Sequence, residues 1–137
     1  MRLTAAEART RFVGARVARL ATVSLGGAPH LVPITFAADG DGVAFAVDHK
    51  PKRTARLQRL RNIAAEPHVC LLVDVYTDDW NHLWWARADG EAHTVEGESR
   101  AAWVDRLRAR YPQYQENPPE GPVVEIAVTR WSGWSAS

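Results

Sequence analysis

The fold is decided by residues 17–47, which read VARLATVSLGGAPHLVPITFAADGDGVAFAV. Residues 17–24 alternate with β-branched side chains, and Gly26-Gly27 after them predicts a hairpin turn. Residues 29–36 form the returning strand. Asp39-Gly40-Asp41-Gly42 predicts a second turn, so residues 43–47 form a third strand. Three antiparallel strands within about thirty residues indicate a β-meander.

Helices and further strands are predicted on both sides of this meander. Thr4 and Glu7 form a capping-box pattern, which predicts that a helix begins at Ala5. Beyond the meander, hydrophobic periodicity, proline positions and apolar runs set the remaining boundaries. The predicted elements are a helix over 5–12, a helix from about Thr54 to Pro67, a central, doubly buried strand over 69–75, a long strand over 83–95 bent near Gly90, a helix over 98–111, a loop over 112–122 and a strand over 123–130.

This order of elements favours a mainly β, α+β fold. Six short strands, with helices that cannot all be crossovers, predict a closed or half-closed antiparallel barrel with peripheral helices. An open α+β sheet is the alternative. The length of 137 residues predicts a single domain over 1–137.

Composition excludes several classes of protein. The net charge of +1 argues against a protein that coats nucleic acid. One cysteine, Cys70, excludes an internal disulfide, and five histidines without metal-ligand spacing argue against a metal site. The beginning of the chain does not read as a signal peptide, and no stretch reaches the length of about 20 apolar residues that spans a membrane. We therefore expect a cytoplasmic protein that does not bind membranes.

The positive charge is concentrated in one block. The chain has two lysines, Lys50 and Lys52, and between Lys50 and Arg61 it has six cations and no carboxylate. The block follows a predicted strand and leads into a predicted helix, an arrangement in which helix N–H groups and cationic side chains can bind a phosphate. A solvated helix face in an arginine-rich chain explains the same residues equally well.

Two further features are candidates for a ligand site. Pro33 cannot donate a ladder hydrogen bond, which places it at a sheet edge, at a bulge or where another group approaches the backbone. Six tryptophans are many for a core of this size, and five of them cluster in residues 80–85 and 131–134. Clustered tryptophans are typical of interfaces and ligand walls, although packing within the protein is an equal alternative.

The order of these segments resembles a known family. Residues 18–24, 27–36 and 59–69 are similar to the opening strands and the helix-to-strand passage of the pyridoxamine-phosphate-oxidase-like split-barrel flavoproteins. Val73-Asp74 and residues 84–87 continue the resemblance. In combination with Asp48-His49-Lys50-Pro51-Lys52, the chain looks most like the actinobacterial branch that binds the deazaflavin coenzyme F420.

The resemblance implies a homodimer of six-stranded split barrels of the FMN-binding type, with a cofactor in each of two grooves at the interface. Basic and hydroxyl residues after the third strand would bind the cofactor phosphate, the second strand would border its ring, and tryptophans of the partner would form a groove wall. Carried over to this sequence, the phosphate site is Lys50, Lys52, Arg53, Thr54, Arg56 and Arg59; the ring site is Val32, Pro33, Ile34 and Thr35; and the wall is Trp80, Trp84 and Trp131.

The implied function is hydride transfer between coenzyme F420 and a small planar or conjugated substrate. Two alternatives remain: an FMN-dependent enzyme of the same fold, and a deazaflavin-binding protein that stores the cofactor without catalysis. A proton donor near the ring would separate them, and His30, Thr35 and Tyr76 are the candidates. The chain lacks the additional basic residues of a true pyridoxamine phosphate oxidase.

Overall fold

The structure is a computed structural model that describes residues 1–47 and 53–137, with residues 53–57 described in backbone only. Its helices and strands follow the predicted order closely. The helices are α1 (Ala5–Val13), α2 (Arg53–Ala65), α3 (Gly97–Arg110) and α4 (Pro112–Glu116). The strands are β1 (Ala18–Val23), β2 (Pro29–Ile34), β3 (Ala37–Asp39), β4 (Gly42–Ala46), β5 (His68–Val75), β6 (Trp84–Val95) and β7 (Val123–Ser135).

Within the described residues, seven strands form one antiparallel sheet in the order β2-β1-β5-β6-β7-β4-β3. Its two edge strands, β2 and β3, are consecutive in sequence, and only Thr35 and Phe36 separate them. A chain of that length spans at most about 11 Å, so the two edges must come together. The sheet is therefore wrapped into a barrel whose last gap is crossed by the chain instead of by ladder hydrogen bonds.

The predicted split barrel with peripheral helices is thus confirmed, with one more strand than expected. We expected a single strand over 29–36, but β2 ends at Ile34 and the chain crosses to the other edge of the sheet. Residues 37–39 then pair with β4 as the short strand β3. The placement of Pro33 on an edge strand is also confirmed, since β2 has a neighbour on one side only.

The gap between the two edges is held by one hydroxyl group. Tyr111, at the end of α3, accepts a hydrogen bond at its hydroxyl from the Phe36 N–H (3.1 Å). The same hydroxyl lies 2.9 Å from the carbonyl oxygens of Phe36 and Arg16, to which it can donate its proton. Phe36 itself is fully buried and packs against Phe12 of α1, with ring centroids 5.1 Å apart. The crossing is therefore held by the Tyr111 hydroxyl at its backbone and by Phe12 at the Phe36 side chain.

The long strand β6 bends where the sequence predicts it. Its register with β7 shifts between Asp89 and Gly90, which marks a bulge. A Cβ atom at Gly90 would overlap the carbonyl oxygen of Ala127 on the neighbouring strand. Glycine is required there because the two backbones approach too closely for a side chain.

The outer face of the sheet differs from the expectation. We predicted that β5 is buried on both faces, but its burial alternates: Val69, Leu71 and Val73 face the core, whereas Leu72 is half-buried and Asp74 is exposed. No helix covers this side of β5 in the described residues, which explains the error.

The predicted loop over 112–122 also contains α4. Among the described helices, none has the length and apolar character that crossing a membrane requires.

We predict that Tyr111→Phe lowers the free energy of unfolding by about 1–3 kcal/mol, because the buried Phe36 N–H loses its acceptor. Urea unfolding followed by tryptophan fluorescence measures the change. Tyr114→Phe is the matched control, since the Tyr114 hydroxyl makes only a 3.5 Å contact with Thr35 Oγ1. Equal effects of the two substitutions would contradict the proposed role of Tyr111.

Candidate functional site

The cationic block begins where β4 ends and continues into α2. β4 ends at Ala46 and α2 begins at Arg53, so the predicted strand–loop–helix order is present. Lys50 and Lys52 lie outside the described residues. The backbone places Arg53, Thr54 and Arg56 in the first turn of α2. The guanidinium of Arg59, one turn further along, lies 5.7 Å from the centre of the buried Phe45 ring.

The charges in the first turn of α2 oppose the helix dipole. The amino-terminal end of a helix carries a partial positive charge, so carboxylates are favoured there and cations are disfavoured. α2 has no acidic residue in its first turn, and Arg53 and Arg56 occupy it instead. An anion bound at this end would reverse the unfavourable electrostatics. This arrangement favours the anion-site interpretation over the solvated helix face.

α2 is fixed to the barrel by a buried polar chain. The Gln58 side-chain amide donates to Asn62 Oδ1 (2.7 Å), and Asn62 Nδ2 donates to Thr22 Oγ1 of β1 (3.0 Å). Asn62 is 2% exposed and Thr22 is 1% exposed. Hydrogen bonds of this kind are costly to break because each partner would remain buried without a substitute. The carboxyl-terminal half of α2 is therefore held rigidly against one end of the barrel.

His30 adds an unpaired polar atom at the same end. It lies opposite Thr22 in the β1–β2 ladder, so both side chains are on the inner side of the sheet. Its Nδ1 atom is enclosed, and the described residues offer it no hydrogen-bond partner. Buried polar groups in proteins are nearly always paired. Thr22, His30 and the polar residues Gln58 and Asn62 of α2 thus place donors and acceptors at this end of the barrel, and we call this group the barrel mouth.

The ring site predicted on the second strand divides between the two faces of the sheet. Val32 and Ile34 point inward, where Ile34 is 7% exposed and Val32 packs against the core. Pro33 points outward and is exposed. Thr35 lies in the crossing between the sheet edges, with its Oγ1 near Tyr114. Within one chain, the outward side chains and the backbone edge of β2 remain accessible to a ligand.

The predicted tryptophan wall is dispersed over the chain. Trp80 is 75% exposed and follows β5 at the end opposite to its junction with α2. An eight-residue strand is about 25 Å long, so Trp80 and the carboxyl end of α2 are far apart within one chain. Trp84 lies under the guanidinium of Arg11. Trp131 packs edge-on against Phe12 and donates to Asp41 Oδ1 (2.9 Å).

Shifted pKa values occur around the start of β5, which follows α2 in the chain. Hydrogen bonding to Glu66 raises the pKa of His68, and the same contact lowers the pKa of the Glu66 carboxyl; both groups are exposed at the start of β5. Burial raises the pKa of the Cys70 thiol. A raised pKa disfavours the thiolate, so Cys70 is a poor nucleophile, as its apolar surroundings predict.

Sequence reasoning did not identify Thr22, Gln58 and Asn62. A signal was available: Thr22 is the polar residue at an inward position of β1, whose other inward residues, Ala18 and Leu20, are apolar. Gln58 and Asn62 are four residues apart on α2 and therefore share one face of the helix. A polar inward position opposite a polar helix face predicts a buried hydrogen bond, but only when the packing of the helix is known.

Comparison with known proteins identifies similar chains. Residues 4–135 match the protein family described as pyridoxamine 5′-phosphate oxidase. No curated protein matches the sequence at a significant level.

Solved structures share the fold at low sequence identity. An FAD-binding protein from Mesorhizobium loti has a TM-score of 0.75 and 17% identity, with 97% of this chain and 95% of that chain covered. The FAD binding protein from Mycobacterium smegmatis has a TM-score of 0.67 and 22% identity, with coverage of 98% and 97%. A heme binding protein from the same organism has a TM-score of 0.74 and 20% identity, with coverage of 99% and 60%. Identities of this size show a common fold.

We predict that Thr22→Val lowers the free energy of unfolding by about 1–3 kcal/mol, because Asn62 Nδ2 loses its acceptor while it stays buried. Urea unfolding measures the loss. Thr94→Val serves as the control, since Thr94 is exposed on β6 and the described residues give its side chain no hydrogen bond. A loss of the same size in both variants would mean that the buried chain does not anchor α2.

Proposed function

This chain belongs to the pyridoxamine 5′-phosphate oxidase family, and on that premise we propose that it is an oxidoreductase whose cofactor is the deazaflavin coenzyme F420. The observation that carries the proposal is the start of α2, where cations occupy the helix end that normally favours carboxylates. The substrate would be a small planar or conjugated molecule that stacks on the cofactor ring.

The number of cations favours the deazaflavin over a simple flavin mononucleotide. Six cations lie between Lys50 and Arg61 without a carboxylate. A single phosphate at a helix start needs only a few charge-assisted hydrogen bonds. The deazaflavin carries a phosphate and an oligoglutamate tail, so it can use the remaining cations. Arg56, Arg59 and Arg61 are the residues proposed for the tail.

The residues of the barrel mouth fit a polar ring system. His30 Nδ1 is an enclosed atom without a partner in the described residues, and a polar ligand atom could satisfy it. In this proposal Lys50, Lys52, Arg53 and Thr54 hold the phosphate, and the edge of β2 from Val32 to Thr35 borders the ring. A bound deazaflavin would supply the hydride chemistry, while these side chains bind it and orient it.

A flavin nucleotide is the second candidate cofactor. Two of the solved structures with this fold are described as FAD-binding proteins. The same cationic helix start could hold a flavin phosphate, and fewer arginines would then contact the ligand. Binding measurements with both kinds of cofactor separate the two proposals.

We further propose that the active form is a homodimer with a cofactor groove at each interface. The outer face of β1 and β2 exposes apolar side chains, with Leu31 69% exposed and Val23 37% exposed. Apolar area of this kind is typical of surfaces that another chain covers. A partner would also bring a second copy of Trp80, which lies far from the carboxyl end of α2 in its own chain, to a cofactor groove.

We predict that coenzyme F420 quenches the tryptophan fluorescence of the purified protein with micromolar affinity. Replacing both lysines (Lys50→Gln with Lys52→Gln) should weaken this binding by about 2–4 kcal/mol, because two charge-assisted hydrogen bonds to the phosphate are lost. Arg108→Gln is the control, since Arg108 is an exposed arginine of α3 whose side chain contacts the Gln115 carbonyl.

Micromolar binding of FMN or FAD without binding of coenzyme F420 would overturn the choice of cofactor. A protein that binds reduced coenzyme F420 but does not accelerate its oxidation by added quinones would favour a storage role. Acceleration that is lost in the double lysine variant supports the enzyme.

We predict that Leu31→Glu converts the dimer to a monomer, because the new charge would be buried in the contact. Light scattering measures the mass, and the cofactor titration should weaken in parallel. Leu25→Glu is the matched control: Leu25 is 87% exposed in the β1–β2 turn, away from the outer face. A wild-type protein that is already monomeric at working concentration would contradict the interface model.

A further inference from the structure

A cationic cleft of about 300 Å³ lies over the outer face of the β6–β7 ladder, beside the amino-terminal segment. One wall is the amino-terminal segment, which runs beside β7: the Leu3 N–H donates to the Gly133 carbonyl (3.0 Å), and the Ser135 N–H donates to the Met1 carbonyl (2.8 Å). A Cβ atom at Gly133 would lie 2.9 Å from Leu3 Cδ1. Glycine at this position therefore allows the segment to close against β7.

Three guanidinium groups line this outer cleft: Arg2, Arg87 and Arg130. Arg87 is paired with Asp89, with its Nε 3.1 Å from Asp89 Oδ2. Within residues 1–47 and 53–137, the guanidinium groups of Arg2 and Arg130 have no hydrogen-bond acceptor and no carboxylate partner. The outer cleft therefore carries excess positive charge, and two of its arginines are available for a ligand.

A hydroxyl group in the wall of the outer cleft also has no partner. Ser132 lies opposite Arg87 in the β6–β7 ladder and therefore projects from the outer side of the sheet. Its Oγ atom is enclosed, and the described part of the chain provides no hydrogen bond to it. Enclosed hydroxyl groups are usually paired, and an oxyanion seated between arginines would accept this proton.

The outer cleft also has aromatic walls. Trp85 and Trp134 are ladder partners that both line it, and Trp134 is 36% exposed. A second cavity of about 360 Å³ shares Trp85 and Arg87 with the outer cleft and is also lined by Leu72, Asp74 and Tyr76. Small-molecule sites combine such an apolar wall with a few convergent polar groups, and their volumes begin at about 300 Å³.

We propose that the outer cleft binds an organic anion with an aromatic body. Its carboxylate or phosphate lies between Arg2, Arg130 and the Ser132 hydroxyl, and its ring lies against Trp85 and toward Tyr76. The guanidinium groups supply charge-assisted hydrogen bonds, and the indole supplies a flat apolar surface. The site is separate from the barrel mouth and needs no bound cofactor, so it does not depend on the function proposed above.

The test uses three probes that share one nitro-aromatic ring: para-nitrobenzoate, para-nitrophenyl phosphate and the neutral para-nitrobenzamide. Each is titrated into the full chain without cofactor, and both tryptophan quenching and calorimetry are recorded. At least one anionic probe should bind about 10-fold or more tightly than the amide, because only the anions pair with the guanidinium groups. The anion that binds more tightly identifies the preferred oxyanion.

Variants locate the site. Arg130→Gln should weaken binding of the preferred anion about 10-fold, and Ser132→Ala should weaken it several-fold, because each removes one hydrogen-bond donor to the anion. Binding of para-nitrobenzamide should change much less in both. Arg108→Gln is the control, since Arg108 is an exposed arginine of α3 that does not line the cleft.

Thermal melting checks that each variant is folded before it is titrated. Equal affinity for the anions and the amide would overturn the proposal, and so would the absence of binding at millimolar concentrations. Loss of anion binding in Arg108→Gln to the same extent as in Arg130→Gln would also overturn it. Since no cofactor is present, failure here leaves the deazaflavin proposal untouched, and failure of cofactor binding leaves this one untouched.

Discussion

The architecture depends on a crossing of two residues between the edges of one sheet. Thr35 and Phe36 carry the chain from β2 to β3, which are the first and last strands in the sheet order. Because so short a segment cannot span an open sheet, the strands must curve until the edges meet. Tyr111 then satisfies the backbone of Phe36, whose N–H and carbonyl have no ladder partner in the crossing. Because the chain closes the barrel without ladder hydrogen bonds, side chains such as that of Tyr111 must supply the hydrogen bonds at this gap.

In the closed barrel, polar side chains have different surroundings on the inside and on the outside of the sheet. The inside is filled by aromatic and aliphatic residues, so a polar residue pointing inward needs a specific partner. Thr22 finds it in Asn62 of α2, and this bond holds the cation-bearing helix against the barrel. α3 covers the outer side of β7 near Val123 and Glu125. Beyond that contact, the outside of β5, β6 and β7 exposes half-buried tryptophan, arginine and serine side chains in the outer cleft. The two candidate ligand sites follow from these two environments.

Local signals in the sequence predicted the elements that depend on neighbouring residues. The Thr4–Glu7 capping box, the Gly26-Gly27 turn and the bend at Gly90 are each determined by a few residues and were all confirmed. The strand β3 was missed because no turn signal separates residues 29–34 from residues 37–39, and their division depends on which edge each half pairs with. The exposure of one face of β5 was missed for a similar reason: a continuous apolar run does not reveal that no helix covers it.

The sequence predicted the positive charge of the candidate site, but it did not predict how the side chains of the site are arranged. An arginine-rich composition alone could explain the cations of α2 as a solvated surface. Several arginines elsewhere in the described chain have anionic or carbonyl partners: Arg9 and Arg106 lie near Asp41 and Asp39, and Arg110 donates to the Ala15 carbonyl. Between Lys50 and Arg61 the sequence supplies no carboxylate at all, and it places cations at the helix end that disfavours them. Cations that oppose the helix dipole, in a segment without a carboxylate, lower the stability of the folded chain unless an anion binds there. This energetic cost is a physical argument for a ligand.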